Sequence, residues 1–166
     1  MHYVVPGMRL IPQDKEMSCW YACAMMLVHW RRNHLQMTEA VHPDPSQVAR
    51  WQGLYRANPG ITNEQLVALA RDLGLELIPP MSPSPQLIHS WLVQYGPLWV
   101  NGVAHITVIA GIRESEVLVF DPARSTKIHG EWRSLAGWYV QDRHSGRDVS
   151  GAVQAVFLRL RSSTYE

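Results

Sequence analysis

The chain has 166 residues, of which 46% are hydrophobic and 17% charged, with a formal net charge of +1. This length and balance predict a single globular domain over residues 1–166 and argue against an intrinsically disordered chain. The chain is close to neutral and its sequence has no basic stripe, so we expect no nucleic-acid partner.

The sequence carries no sign of a membrane or export segment. The N-terminal residues lack a continuous apolar stretch and predict no Sec signal, and the longest apolar run, residues 22–28, is too short to span a bilayer. Cys19 and Cys23 stand four positions apart on one predicted helix and do not make a disulfide framework. We therefore expect a protein that is cytoplasmic in the cell that produces it.

The first predicted helix spans residues 18–33 and follows an extended arm over residues 2–16. Apolar residues recur along this helix at helical spacing, so one of its faces is expected to be buried. Ser18 is a favourable N-cap residue, which places Cys19 in the first helical turn.

Three further helices are predicted from residues that start or stop helices. After a polar loop over residues 34–45, one begins near residue 44 and ends before the breaker Asn58-Pro59-Gly60. The next opens at a capping box, residues 62–65, and is stopped by Gly74. The last runs from residue 84 to residue 96.

The second part of the chain is rich in short β-branched and aromatic runs. These predict strands at residues 98–101, 104–112, 116–121 and 152–161, after an earlier short strand at 75–78. Residues 125–151 are ambiguous, with a candidate strand at 138–140. Helices followed by an antiparallel sheet predict an α+β fold, with a helical half at about 17–96 and a sheet half at about 97–166. The cleft between the halves is the natural place for a site.

Cys19 is the strongest candidate for chemistry. A thiol attacks well only as the thiolate, and a free cysteine with a pKa of roughly 8.5 is mostly protonated near neutral pH. The positive end of a helix dipole and a nearby imidazolium both favour the thiolate. The predicted position of Cys19 supplies the first, whereas Cys23, one turn further along, is interpreted as a core residue.

His105 and Asp121 are candidates to complete this site. Strand alternation puts His105 and Thr107 on one face of the sheet, and Asp121 ends the next strand, where an antiparallel neighbour can bring its carboxylate beside the imidazole. Taken singly, each has an ordinary interpretation: a structural histidine on a strand, and a turn aspartate before Pro122.

Four features together resemble the papain-like cysteine peptidases. Ser18-Cys19-Trp20 matches the core of their nucleophile motif, Gln13 stands six positions before Cys19, and Asp121 follows His105 by sixteen positions. The phrases at residues 96–100, 105–111 and 120–122 resemble a compact bacterial branch. That branch includes avirulence-type effector proteases and the leader peptidases of bacteriocin exporters. The resemblance covers about residues 8–122.

This resemblance implies a residue-by-residue set of roles. Cys19 would be the nucleophile, His105 its ion-pair partner and Asp121 the group that orients the imidazole. The oxyanion hole would consist of the Gln13 side chain and the Cys19 backbone N–H. We further expect four residues to line the substrate cleft: Trp20, Gly102, Val103 and Ala104. Two positions depart from the large members of the family, since Met17 replaces glycine and Asp121 replaces the commoner asparagine.

The implied function is a cysteine endopeptidase that uses no metal and no cofactor. It would act as a monomeric bacterial toxin or effector on a protein or peptide in a target cell. A specialised secretion system or a larger toxin would deliver it, and a cognate immunity protein would block its cleft.

Two alternatives stay open at this point: another cysteine-dependent enzyme and a catalytically silent domain. The same residues serve peptidoglycan amidases, deamidases and acyltransferases, and the same fold serves catalytically silent peptide-binding domains. A zinc site made of Cys19, Cys23, His29 and His34 is disfavoured because these side chains do not share one helix face.

Overall fold

The computed structural model describes residues 1–35, 43–79, 81–101, 105–136 and 157–161. The predicted cleft residues Gly102, Val103 and Ala104 and the candidate strand at 138–140 lie outside these ranges. The described helices are α1 (Cys19–Leu35), α2 (Ala49–Ala57), α3 (Asn63–Leu73) and α4 (Pro85–Tyr95). A membrane span would need a longer and more apolar helix than any of these four.

Helix α1 begins at Cys19, as predicted, but not through the predicted side-chain cap. The Ser18 carbonyl accepts the first helical bond, from the Ala22 N–H at 3.1 Å. The Ser18 hydroxyl instead turns back to Lys15, where it accepts from the backbone N–H and donates to the carbonyl, both at 3.1 Å. Ser18 therefore starts the helix with its backbone and uses its side chain to fold the preceding loop.

The other helix ends follow local sequence signals. Thr62 and Gln65 form the predicted capping box of α3, and Gly74 ends that helix in the left-handed conformation. The predicted second helix is wrong in its first turn. Residues Pro45–Gln47 form a separate 3₁₀ turn capped by Asp44, and Val48 is extended before α2 begins. Because Asp44 and Gln47 cap each other, this turn closes by itself and does not propagate.

In the described part of the chain, seven strands form one sheet: β1 (His2–Val4), β2 (Leu75–Leu77), β3 (Leu98–Asn101), β4 (Ile106–Arg113), β5 (Glu116–Phe120), β6 (Glu131–Ser134) and β7 (Phe157–Leu160). Their order is β2-β7-β3-β4-β5-β6, with β1 paired to β4, and all the described pairs are antiparallel. The fold is α+β, as the sequence predicts.

Two of these strands were not predicted from the sequence. The start of the N-terminal arm is strand β1, which pairs with the second half of β4, while β3 pairs with the first half of β4. Strand β4 thus pairs with two short strands, β1 and β3, along the same one of its edges. Strand β6 lies in the ambiguous segment and pairs with β5. Its sequence, Glu-Trp-Arg-Ser, has only one apolar residue and gives little periodic signal.

The core joins the helices to the centre of the sheet. Helix α1 contacts β3 and β4, and the whole of β4 from Ile106 to Ile112 is buried. Trp20, Trp51 and Trp99 are almost fully buried in the same cluster. The start of α1 is therefore fixed against the strand that follows His105.

Candidate active site

The sheet register brings His105 and Asp121 together. Val108 pairs with Phe120, so Asp121 stands opposite Thr107, and His105 lies two residues before Thr107 on the same side. The Asp121 Oδ1 atom accepts hydrogen bonds from His105 Nε2 at 2.6 Å and from the Ala123 backbone N–H at 2.9 Å. The second bond fixes the carboxylate in a turn, so that it holds the imidazole in one orientation.

Cys19 reaches this pair from the other half of the fold. It is half-buried at the first position of α1, and its side chain helps to raise the pKa of His105 through a hydrogen bond and through its charge. Since Nε2 of the ring is engaged by Asp121, Nδ1 is the nitrogen left for the sulfur. Three of the residues predicted from the sequence are thus in one continuous line of contacts.

The charged and polar groups around His105 favour the protonated form of its imidazole. Burial alone would lower the pKa of His105, but the hydrogen bonds and negative charges of Asp121 and Cys19 raise it from 6.5 to about 10. Burial would raise the pKa of Asp121, but the bonds from His105 and from the Ala123 N–H lower it below its usual value. At neutral pH an imidazolium therefore stands between the carboxylate of Asp121 and the sulfur of Cys19.

The start of α1 adds a second source of positive potential. Because the first helical bond runs from Ala22 to Ser18, the N–H groups of Cys19, Trp20 and Tyr21 have no acceptor within the helix. The Ser18 hydroxyl, which commonly takes one of them, is bonded to Lys15 instead. These N–H groups and the helix dipole favour negative charge at Cys19.

Gln13 lies next to the site but its amide faces its own loop. Its backbone N–H donates to the Pro122 carbonyl at 2.9 Å, which ties it to the turn after Asp121. Its Nε2 donates to the carbonyls of Lys15 at 3.0 Å and Glu16 at 3.1 Å, while Oε1 is buried without a partner. An amide nitrogen carries two hydrogens. Service in an oxyanion hole therefore requires one of them to turn from the loop towards the cleft when substrate binds.

Cys23 and Trp20 belong to the core. Cys23 is fully buried, and its thiol donates to the Ile106 carbonyl at 3.3 Å. Burial, followed by the charges of Cys19 and Asp121, raises the pKa of this thiol well above its usual value, so it stays protonated and unreactive. Trp20 is 1% exposed and packs edge-to-face on Trp51, so its side chain is not on the cleft surface. Position 20 is turned about 100° around the helix from Cys19, towards the interior.

The histidines considered for zinc have other surroundings. His29 Nε2 lies 3.0 Å from the Asp44 carboxylate, which also accepts from Arg32, and His34 stacks on the Trp30 ring. Within the described ranges, no group of three or more His, Cys, Asp or Glu side chains is arranged to hold a metal ion.

Two contacting residues near the site were not predicted as functional. Tyr55 and Asn58, at the end of α2, contact the loop that leads to Cys19. The Asn-Pro-Gly breaker that Asn58 opens is a sequence signal at this position, but it indicates only the end of a helix.

Comparison with protein families decides the class of this protein. The family model described as papain-like cysteine protease AvrRpt2 matches residues 3–142. The chain belongs to this family. It is a papain-like cysteine protease of the compact bacterial branch that its motifs resemble.

The chain is similar to two solved structures. One is the peptidase domain of Streptococcus ComA, a bifunctional ABC transporter involved in a quorum-sensing pathway. It is 15% identical, covers 93% of this chain and 99% of its own, and superposes with a TM-score of 0.52. Another is a double glycine motif protease from an AMS/PCAT transporter in complex with the leader peptide. It is 13% identical, covers 95% of each chain, and has a TM-score of 0.49. No curated protein sequence matches the chain significantly.

Proposed function

We propose that the chain acts as a monomeric, single-domain cysteine endopeptidase with Cys19 as nucleophile, His105 as general acid and base, and Asp121 as the orienting group. The observation that carries this proposal is the line of contacts from the Cys19 side chain through the His105 ring to the Asp121 carboxylate. The start of α1 and the end of β5, far apart in sequence, both contribute to it.

The reaction follows from these positions. The Cys19 thiolate attacks the carbonyl carbon of the scissile peptide bond, and the resulting oxyanion accepts hydrogen bonds from the Cys19 N–H and the Gln13 side chain. The His105 imidazolium donates its proton to the leaving amine, which leaves a thioester on Cys19. Water then attacks the thioester while His105 takes one of its protons; the C–S bond breaks, which releases the carboxylic acid product and restores the Cys19 thiolate and the His105 imidazolium. Every proton in these steps moves between Cys19, His105, substrate and water, so the mechanism uses no cofactor.

The first test compares the two cysteines. Cys19→Ala removes the nucleophile and is expected to abolish turnover without unfolding the chain, whereas Cys23→Ala is expected to retain it. New protein N-termini, mapped by mass spectrometry in cells that express each variant, measure the difference. Cleavage sites that persist in Cys19→Ala would show that the assignment of the nucleophile is wrong. Muropeptide digestion under the same comparison distinguishes a peptidoglycan amidase from a protein-cleaving enzyme.

We further propose that the protein is a toxin or effector that acts on proteins of a target cell, and that an immunity protein protects the producer. The support is the similarity of its motifs to avirulence-type effector proteases, together with membership of the AvrRpt2 family. Expression of the wild type, but not of Cys19→Ala, is expected to arrest a host that lacks the inhibitor. Unimpaired growth with active wild-type enzyme would contradict this role.

A further inference from the structure

The loop of residues 14–18, here called the nucleophile loop, joins the two proposed oxyanion donors. Gln13 precedes it and Cys19 follows it. The distance between the Gln13 amide and the Cys19 N–H is therefore set by the shape of this loop. Contacts that fix the shape and position of the loop therefore also fix the Gln13 amide and the Cys19 N–H relative to each other.

The nucleophile loop is folded on Lys15. The Ser18 hydroxyl and backbone N–H both bond to Lys15, at 3.1 Å and 3.3 Å to its carbonyl. The Gln13 amide donates to the same carbonyl and to that of Glu16. These bonds define the shape of the loop but leave its position relative to the rest of the helical half to other contacts.

The last turn of α2 supplies those contacts through two side chains. The Asn58 Oδ1 atom accepts the Met17 backbone N–H at 3.1 Å. The Tyr55 hydroxyl donates to the Asp14 carboxylate, and the Lys15 ammonium lies 4.9 Å from the centre of the Tyr55 ring. Tyr55 and Asn58 thus contact the loop near both of its ends.

Each of these two side chains is itself well supported. The Tyr55 ring stacks on Tyr21 of α1, with ring centres 4.0 Å apart and planes 20° from parallel. The hydrogen bond to Asp14 raises the pKa of Tyr55 to about 12, so its hydroxyl remains a donor. Asn58 ends α2 with a left-handed backbone, at φ of 58°, which asparagine tolerates better than most residues.

Met17 is in contact with the same region through its side chain. A Cβ placed on Gly60 would lie 3.0 Å from the terminal methyl of Met17, so the absence of a side chain at Gly60 leaves room for it. The loop is therefore held against the end of α2 and the residues that follow it by three contacts. These involve the Met17 backbone, the Asp14 carboxylate and the Met17 methyl group.

We propose that Tyr55 and Asn58 are positioning residues that hold the nucleophile loop, and through it the oxyanion hole, against the start of α1. This inference rests on the proposed function. Neither side chain touches the reacting atoms; both act on the placement of the Gln13 amide and the Cys19 N–H. A misplacement of such donors by about 1 Å is expected to cost on the order of 10²-fold in rate.

The test separates the oxyanion hole from the nucleophile. Asn58→Gly keeps the left-handed backbone accessible but removes the acceptor for Met17, while Asn58→Asp keeps a carboxyl oxygen at the same place. Tyr55→Phe keeps the stack on Tyr21 and removes the bond to Asp14. Glu114→Gly, at the other left-handed non-glycine position described in the chain, controls for the backbone change far from the site.

Two rates are measured for each variant. Hydrolysis of a peptide that contains a mapped cleavage site requires the oxyanion hole, whereas alkylation of Cys19 by iodoacetamide forms no oxyanion. We expect Asn58→Gly to lower kcat by about tenfold or more with a smaller change in KM, and Tyr55→Phe to lower it by a few-fold. We expect both to leave the alkylation rate within about twofold, Asn58→Asp to recover most of the loss, and Glu114→Gly to match the wild type.

Each other outcome overturns the inference. Unchanged kcat in Asn58→Gly, an equal loss in Asn58→Asp, or a parallel fall in kcat and alkylation would show that the Met17 tether does not position the oxyanion hole. Wild-type enzyme that neither cleaves peptides nor alkylates faster than an ordinary thiol would overturn the proposed function together with this inference. An active wild type with unaffected variants overturns only the inference.

Discussion

Cys19 and Cys23 lie one turn apart on the same helix, but they differ in exposure and in the groups around the sulfur. Cys19 is half-buried at the positive end of α1 and contacts an imidazole. Cys23 is fully buried and donates to a backbone carbonyl. The residue type is the same in both places, so under the proposed function it is charge and exposure, supplied by His105 and the helix start, that make Cys19 the nucleophile.

A second histidine–aspartate pair sharpens this lesson. His29 and Asp44 are also in contact, at 3.0 Å, but Asp44 is shared with Arg32 and caps a turn, and neither cysteine is a partner of this pair. His105 and Asp121 are likewise in contact, at 2.6 Å, but their surroundings include the Cys19 side chain. A histidine bonded to a carboxylate does not by itself indicate a catalytic site; the proposal for His105 depends on the cysteine beside it.

Among substitutions that leave Cys19 in place, the largest effect on turnover is expected at the proposed oxyanion hole. Gln13→Ala removes the proposed side-chain donor to the oxyanion, and turnover is expected to fall by about 10²–10³-fold. Steady-state hydrolysis of a mapped peptide measures it. Gln13→Glu, which keeps the size but not the donor, serves as the matched variant. Full activity in both would remove Gln13 from the mechanism.

A smaller effect is expected from Asp121, whose negative charge stabilises the imidazolium of His105. Turnover requires the imidazolium, so in the wild type it is expected to decline as pH rises through about 10, the pKa of His105. Asp121→Asn removes the negative charge and moves this decline to lower pH, with a larger loss at pH 9 than at pH 6. Asp44→Asn makes the same change at the other pair and is expected to leave the profile in place. Coincident profiles for Asp121→Asn and the wild type would contradict the assignment.

The same shift predicts how stability depends on pH. Since folding raises the pKa of His105 from 6.5 to about 10, its ion pair stabilises the folded state fully below pH 6.5, and this contribution is lost as pH rises through 10. Folding lowers the pKa of Asp121, so its contribution is present above the unfolded value and is lost as pH falls through the folded one. Urea unfolding of wild type and His105→Ala at pH 6 and pH 10 is expected to show a smaller difference at pH 10.

The smallest effect is expected at the buried cysteine. Cys23→Ala leaves a small cavity and is expected to lower the free energy of unfolding by about 1 kcal/mol, with kcat per folded molecule unchanged. Chemical denaturation and active-site titration measure the two quantities. A large loss of kcat would mean that Cys23 takes part in the reaction.

The parts of this molecule that the sequence predicts well are those set by neighbouring residues. The helix ends at Thr62, Gly74 and Ser84 depend on bonds within three or four residues and lie where predicted. Strand β1 was not predicted because its partners lie in β4, more than a hundred residues away. The pairing of His105 with Asp121 was predicted because a hairpin makes that contact local.

The hydrogen bonds of the nucleophile loop could not be predicted from the sequence. Ser18 looked like a side-chain cap, but its hydroxyl is bonded to Lys15, and the Gln13 amide faces two carbonyls of its own loop. The contact of Asn58 with Met17 joins residues 41 positions apart. No periodicity or spacing encodes such bonds, because they depend on how α2 packs beside α1.

The central claim is most directly tested by the rate at which iodoacetamide alkylates each cysteine at pH 7, followed by mass spectrometry in the wild type and in His105→Ala. We expect native Cys19 to react about tenfold faster than an unperturbed thiol and to lose that advantage in His105→Ala. Cys23 is expected to react only after unfolding. Equal rates at the two cysteines, or a Cys19 rate that does not depend on His105, would contradict the account.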